Sequence, residues 1–131
     1  MTKPHILMID DDADDRMIME DTLHELNVEH TLTLASGGRQ ALSLLEKLFS
    51  ENNLPSMIVL DLNMPVLNGI QTLQMIRSDQ RFNAIPVTIY STSVNPVEKD
   101  KALSLGITGY EMKPTSFSEA ATVCRRILNL N

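Results

Sequence analysis

The chain has a single cysteine, no tryptophan, only five glycines and few aromatic residues, 4% of its 131 positions. One thiol excludes an intramolecular disulfide framework. Cys124 lies in an apolar helical pattern, which marks a packing residue and suits a reducing, cytoplasmic setting. Basic residues are also scarce: 11 Lys and Arg face 17 Asp and Glu, for a net charge of -6. That balance excludes autonomous nucleic-acid binding, which needs a basic face, and Arg125-Arg126 is too short a patch to reverse it. No run is long and apolar enough to cross a membrane, and no signal peptide is visible. With 43% hydrophobic and 21% charged residues, nothing suggests disorder. The length fits one domain with a real core, and no linker or repeat divides it.

Short apolar runs alternate with helical patterns. The strand candidates are His5 to Ile9, Thr31 to Ala35, Met57 to Leu60, Pro86 to Tyr90 and Thr108 to Met112. Between them, periodicity predicts helices from about Ala13 to Leu26 (Ala13, Met17 and Leu23/Leu26 inward) and through Ala41, Leu44, Leu45 and Leu48. Two more are expected over about Gly69 to Arg77 and Pro96 to Leu105. A last one carries Phe117, Ala120, Cys124, Ile127 and Leu128 as its stripe. Asp12, Asn95 and Ser116 are the expected N-caps, with Pro96 at a first helical position. Strict strand–helix alternation is the signature of a parallel sheet built from βαβ units.

Carboxylates stand where two of these strands end. The third runs into Asp61, and the first into Asp10-Asp11-Asp12. Ligands of open α/β sheets lie beyond the carboxyl ends of the strands. Two strands delivering acid to one edge would make a pocket suited to a hard divalent cation. The spacing Asp10-Asp12-Asp14 imitates a calcium-binding EF-hand loop. That loop needs Gly at its sixth position and an oxygen ligand at its ninth, where this chain has Asp15 and Ile18, so the reading is rejected.

Further residues stand at the other strand ends. Met64-Pro65 and Gly69 follow Asp61, Ser91 follows the fourth strand, and Gly109-Tyr110 precede Lys113-Pro114 after the fifth. With the acid pair Asp10 and Asp11, this set resembles the response-regulator receiver domains of two-component signalling over nearly the whole chain. The resemblance implies a flavodoxin-like (βα)5 fold, a five-stranded parallel sheet of order 2-1-3-4-5 with helices on both faces. It implies one receiver domain over 1–131 without an output domain, and a phosphoacceptor rather than an enzyme. Asp61 would take a phosphoryl group from a sensor histidine kinase or a histidine phosphotransfer protein. Mg²⁺, with Mn²⁺ as a substitute, would be held by Asp10, Asp11, Asp61 and the backbone carbonyl of Asn63. Lys113 would neutralise the transferring oxygens. Ser91 and Tyr110 would form the switch, and a cis bond at Pro114 would aim Lys113 inward. The switched face would be that of the fourth helix, fifth strand and fifth helix, turned toward an unknown target protein. Passing the phosphoryl group onward in a relay is the alternative use.

Two other classes share parts of this pattern. A phosphohydrolase of the haloacid-dehalogenase kind needs a second Asp two residues after the nucleophile, and Asn63 cannot exchange a proton there. A flavodoxin-like electron carrier needs a phosphate-cradling loop after the first strand, where the acid run would repel phosphate. Two departures from the receiver pattern stand out. Ser91 replaces the commoner Thr, and Thr92 stands where the family usually has Ala or Gly. The bulk of Thr92 is expected to slow attack on a phosphorylated Asp61, and Asn63 and Ser93 to tune the phosphoryl lifetime.

Overall fold

The structure, a computed structural model, describes residues 3–92 and 95–130. Its elements alternate without exception: β1 (His5–Ile9), α1 (Ala13–Glu25), β2 (Thr31–Ala35), α2 (Gly38–Ser50), β3 (Met57–Leu60), α3 (Gly69–Ser78), β4 (Val87–Ser91), α4 (Pro96–Ser104), β5 (Gly109–Met112) and α5 (Phe117–Ile127). The strands form one parallel sheet of order β2-β1-β3-β4-β5. The direction of winding therefore reverses between β1 and β3, which opens a crevice at their carboxyl ends.

The central strands β1 and β3 read as near-continuous apolar runs because both faces of the sheet are covered there. Side chains alternate across the sheet, so Leu7 and Ile9 pack with Ile58, Leu60 and Ile89 in one core layer. Ile6 and Met8 join Val59, Tyr90, Val123 and Cys124 in the other, with Met19 and Leu23 of α1. Each fully buried Leu or Ile here stabilises the fold by about 1.5–3 kcal/mol.

The helix starts follow the expected caps. The Asp12 carboxylate accepts from the N–H groups of Asp14 and Asp15, Asn95 from Val97 and Glu98, and Ser116 from Glu119. At α3, Asn68 and Gln71 form a reciprocal capping box. Four helices stop with a left-handed residue just past the cap: Asn27, Asn52, Gly106 and Asn129. Gly69 is required by close approach, since a Cβ there would meet the Asp61 carbonyl oxygen and Leu62 Cα at 2.4 Å. The α3 N-terminus can press against the end of β3 only because this position has no side chain.

The inward face of α1 differs from the one expected. Ala13 is exposed and Met17 is 56% exposed, while Met19, Thr22 and Leu23 are buried. The first turn of α1 overhangs the strand ends rather than the sheet, so its apolar stripe begins a turn later. Phe117, at the first turn of α5, is 88% exposed as well. Cys124 is buried, and burial pushes its thiol up to about 11, as suits packing rather than reactivity. Among the described residues no helix is long and apolar enough to cross a membrane.

Candidate functional site

Register alone brings the two acidic strand ends together. Ile9 pairs with Leu60, so the next residues, Asp10 and Asp61, lie side by side at the switch point. Their N–H groups continue the ladder, Asp10 to the Ala35 carbonyl and Asp61 to that of Ile9, both at 3.0 Å. Strand alternation puts both on the layer that holds Ile6, Met8 and Val59, the side covered by α1 and α5. Both carboxylates are buried. Asp11, exposed at the start of the loop, completes a trio whose carboxylate oxygens lie within 4.8 Å of one another.

Lys113 reaches this trio from the far side of the sheet. Met112 pairs with Ser91, and the Lys113 N–H donates to the Ser91 carbonyl at 2.8 Å, which fixes the backbone. Its Nζ then lies 2.7 Å from Asp15 Oδ2, 3.0 Å from Asp10 Oδ2 and 3.3 Å from Asp61 Oδ2. The expected cis peptide at Pro114 is not found. No cis bond occurs among the described residues, so the Lys113–Pro114 bond is trans. The long, flexible lysine stem spans the distance by itself, and trans is the lower-energy isomer by about 0.5–1 kcal/mol.

The remaining expected residues stand around the same cleft. The Asn63 N–H donates to Asp61 Oδ1 at 3.1 Å, and its Nδ2 to Ser91 Oγ at a long 3.4 Å. Ser91 is buried at the end of β4. Asp11, Asp15, Asp61, Asn63, Thr92 and Lys113 are among the residues lining a cleft of about 480 Å³. Tyr110 lies apart from them, half-buried on β5, with the Lys99 ammonium 5.6 Å from its ring centroid. Ser93 falls outside the described residues. Asp15 is the site residue that sequence reading overlooked. It stands in the first turn of α1, where side chains lean back toward the helix N-terminus and hence over the strand ends. Arg16 is a second, donating to the Asp10 carbonyl at 2.7 Å.

Charge is tightly matched here. Burial alone would lower the Lys113 pKa, but the carboxylates of Asp15 and Asp10 outweigh it and hold the ammonium above ordinary lysine. Asp10 goes the other way. Burial pushes it up to about 6, against the pull of the Asp12 N–H and of Lys113. Its buried Oδ2 lies 3.0 Å from Nζ, an ionic contact, and has no other partner among the described residues. A buried acceptor in that condition, beside two further carboxylates, fits a divalent cation bound by oxygen ligands.

The raised Asp10 pKa predicts a pH signature. The folded carboxyl holds its proton more tightly than the unfolded chain does. Its contribution therefore falls as pH rises from its ordinary 3.8 to about 6, and is constant above that. His5, whose pKa is lowered by burial, works in the opposite sense in part of this window. The difference between parent and Asp10→Asn removes the His5 part. In cation-free denaturant titrations, the variant should gain on the parent by on the order of 2 kcal/mol between pH 4 and 7. A difference that does not move with pH would refute the assignment.

A parallel 2-1-3-4-5 sheet with acid at the β1 and β3 ends and lysine at the β5 end defines a receiver. Comparison with known proteins agrees. The response regulator receiver domain family profile matches residues 6–125, and the chain belongs to that family. It is 31% identical over 125 residues to the two-component response regulator ORR5 of Oryza sativa subsp. japonica, covering 95% of this chain and 89% of the relative. It is 33% identical over 109 residues to the chemotaxis protein CheY1 of Helicobacter pylori, covering 83% and 84%. Among solved structures, the phosphorylated cyanobacterial phytochrome response regulator RcpA superposes with a TM-score of 0.86 at 26% identity, covering 96% of this chain and 91% of that one. The Mn²⁺-bound response regulator Rcp1 gives 0.83 at 25% identity, covering 95% and 94%. The phosphohydrolase and electron-carrier alternatives give way to this membership.

Proposed function

We propose that the chain is a single-domain response regulator that accepts a phosphoryl group on Asp61. The observation carrying this reading is the convergence of Asp10, Asp11 and Asp61 within 4.8 Å, with the buried Lys113 ammonium against two of them. Such a site has little covalent work to do. Phosphoryl transfer is catalysed by positioning and by neutralising charge on the transferring oxygens.

The donor is a phosphohistidine of a sensor kinase or phosphotransfer protein. The phosphorus–nitrogen bond breaks as an Asp61 oxygen bonds to phosphorus; the donor ring, already protonated on its other nitrogen, keeps the electron pair and leaves as neutral imidazole. A carboxylate needs no general base for this step. The Asn63 N–H on Oδ1 and Lys113 on Oδ2 hold the nucleophile in one orientation. Asp10, Asp11, Asp61 and the Asn63 carbonyl would hold Mg²⁺, which when bound neutralises phosphoryl charge; the Mn²⁺ in Rcp1 supports a divalent ion. Asp10 Oδ2, buried with only the Lys113 ammonium beside it, keeps acceptor capacity for that ion.

A phosphoryl group on Asp61 would draw the Ser91 hydroxyl and let Tyr110 turn inward, biasing the face of α4, β5 and α5. Leu103 and Met112 on those elements are more than half exposed, which suits docking on a target protein. The proposed setting is the cytoplasm. The test is intact mass after incubation with acetyl phosphate, with and without Mg²⁺. One phosphoryl group gained only with the ion is the expected result; none, from this donor and from a phosphorylated kinase alike, would mean a receiver that works without phosphorylation.

Thr92 is exposed and lines the cleft mouth beside Asp61. Its methyl and hydroxyl should obstruct water on its way to the acyl phosphate. A Thr92→Ala variant is expected to lose its phosphoryl group severalfold faster, followed by mass at timed intervals. An unchanged lifetime would remove that role.

A further inference from the structure

The chemistry proposed above uses Asp10, Asp11, Asp61 and Lys113, and leaves Asp15 without a part. Yet Asp15 makes the shortest of the three contacts to the lysine, 2.7 Å against 3.0 Å for Asp10 and 3.3 Å for Asp61. It also stands outside the carboxylate trio that could share a cation. The Lys113 side chain is 7% exposed and that of Asp15 20%, and both line the cleft that holds Asp61. An ammonium has three donors but one charge. An ammonium drawn to 2.7 Å from Asp15 stands farther from Asp61, at 3.3 Å, and Asp15 faces it from the α1 side.

We infer that Asp15 is a positioning residue for phosphoryl acceptance: it holds Lys113 toward α1 and limits how fully the ammonium can serve a phosphoryl group on Asp61. This rests on the phosphoacceptor reading of Asp61. Asp15 is thus a brake built into the first turn of α1. Neutralising it frees the lysine for the transferring oxygens. The neutral isostere Asn keeps a side-chain acceptor for Nζ, so Asp15→Asn removes the competing charge and leaves the lysine within reach of a hydrogen bond.

The test is the rate of phosphorylation by acetyl phosphate with Mg²⁺, in parent, Asp15→Asn, Lys113→Met and the double variant. Asp15→Asn is expected to react roughly three- to tenfold faster, the factor one unit charge about 4 Å away is worth at the dielectric of bulk water, to which the cleft opens. In the Lys113→Met background the same change should alter the rate less than about twofold, because the effect passes through the lysine. Asp15→Glu, which keeps the charge, should stay near the parental rate. Equal acceleration in both backgrounds would overturn the inference, since Asp15 would then merely repel an anionic donor. So would an unchanged or slower Asp15→Asn.

A second measurement needs no phosphorylation. The ¹⁵N signal of the Lys113 ammonium should shift in Asp15→Asn while the backbone amides of the sheet stay in place. A signal that does not move would show that the carboxylate does not hold the lysine. Failure of the parent to take up any phosphoryl group is a different result, and would overturn the phosphoacceptor reading itself.

Discussion

An Asp61→Asn protein is expected to fold normally and to take up no phosphoryl group. The loss should be roughly 10³-fold or more, as for removal of a nucleophile. The amide oxygen of Asn can still accept the Asn63 N–H that Asp61 Oδ1 accepts at 3.1 Å, so the loop after β3 keeps its geometry. What disappears is the anionic oxygen facing Lys113, and an amide is not a nucleophile toward phosphorus at neutral pH. Folding is not threatened, because Lys113 retains Asp10 and Asp15. Intact mass and peptide mapping check this directly. Phosphorylation of the variant at parental rate would move the acceptor to another carboxylate, with Asp10 and Asp11 the nearest candidates.

Lys113→Ala should damage both stability and chemistry. The side chain is 7% exposed and faces three carboxylates, of which Asp10 is fully buried. Removing one partner of a buried ionic cluster leaves the others uncompensated, and a loss of about 2–4 kcal/mol is expected at neutral pH. The loss should shrink as pH falls. Asp10 already holds its proton up to about 6, and without the lysine it would hold it further, which discharges the repulsion in acid. Phosphoryl uptake should drop by roughly 10²- to 10³-fold, as when one preorganised donor to a transition state is removed. Unfolding at pH 5 and pH 7, beside the acetyl phosphate rate, tests both claims. A destabilisation independent of pH would locate the effect in lost packing rather than in lost charge.

The elements themselves were legible because each rests on local chemistry. Apolar runs such as Met57 to Leu60, caps such as Asp12, Asn95 and Ser116, and Pro96 at a first helical turn are read from neighbours in sequence. The acid of Asp10, Asp11 and Asp61 was legible too, since it stands at the carboxyl ends of two strands; Ser91 and Lys113 entered through the resemblance to receiver domains. Less legible were features set by how elements lie against one another. Met17 and Phe117 fit helical stripes, yet both are exposed, because which part of a helix is covered depends on how it docks on the sheet. The trans bond at Pro114 belongs here too: whether an inward lysine needs a cis bond depends on how far its stem must reach.

Composition, periodicity and strand-end residues thus determined the class of fold and its acidic strand ends, and the resemblance to receiver domains supplied the residues around them. The tertiary structure decided how the single ammonium divides itself. Nothing in the sequence says that Asp15, 98 positions from Lys113, approaches it more closely than Asp10 or Asp61 does. That order follows from the docking of α1 over the strand ends, a packing outcome that no local pattern in the sequence encodes.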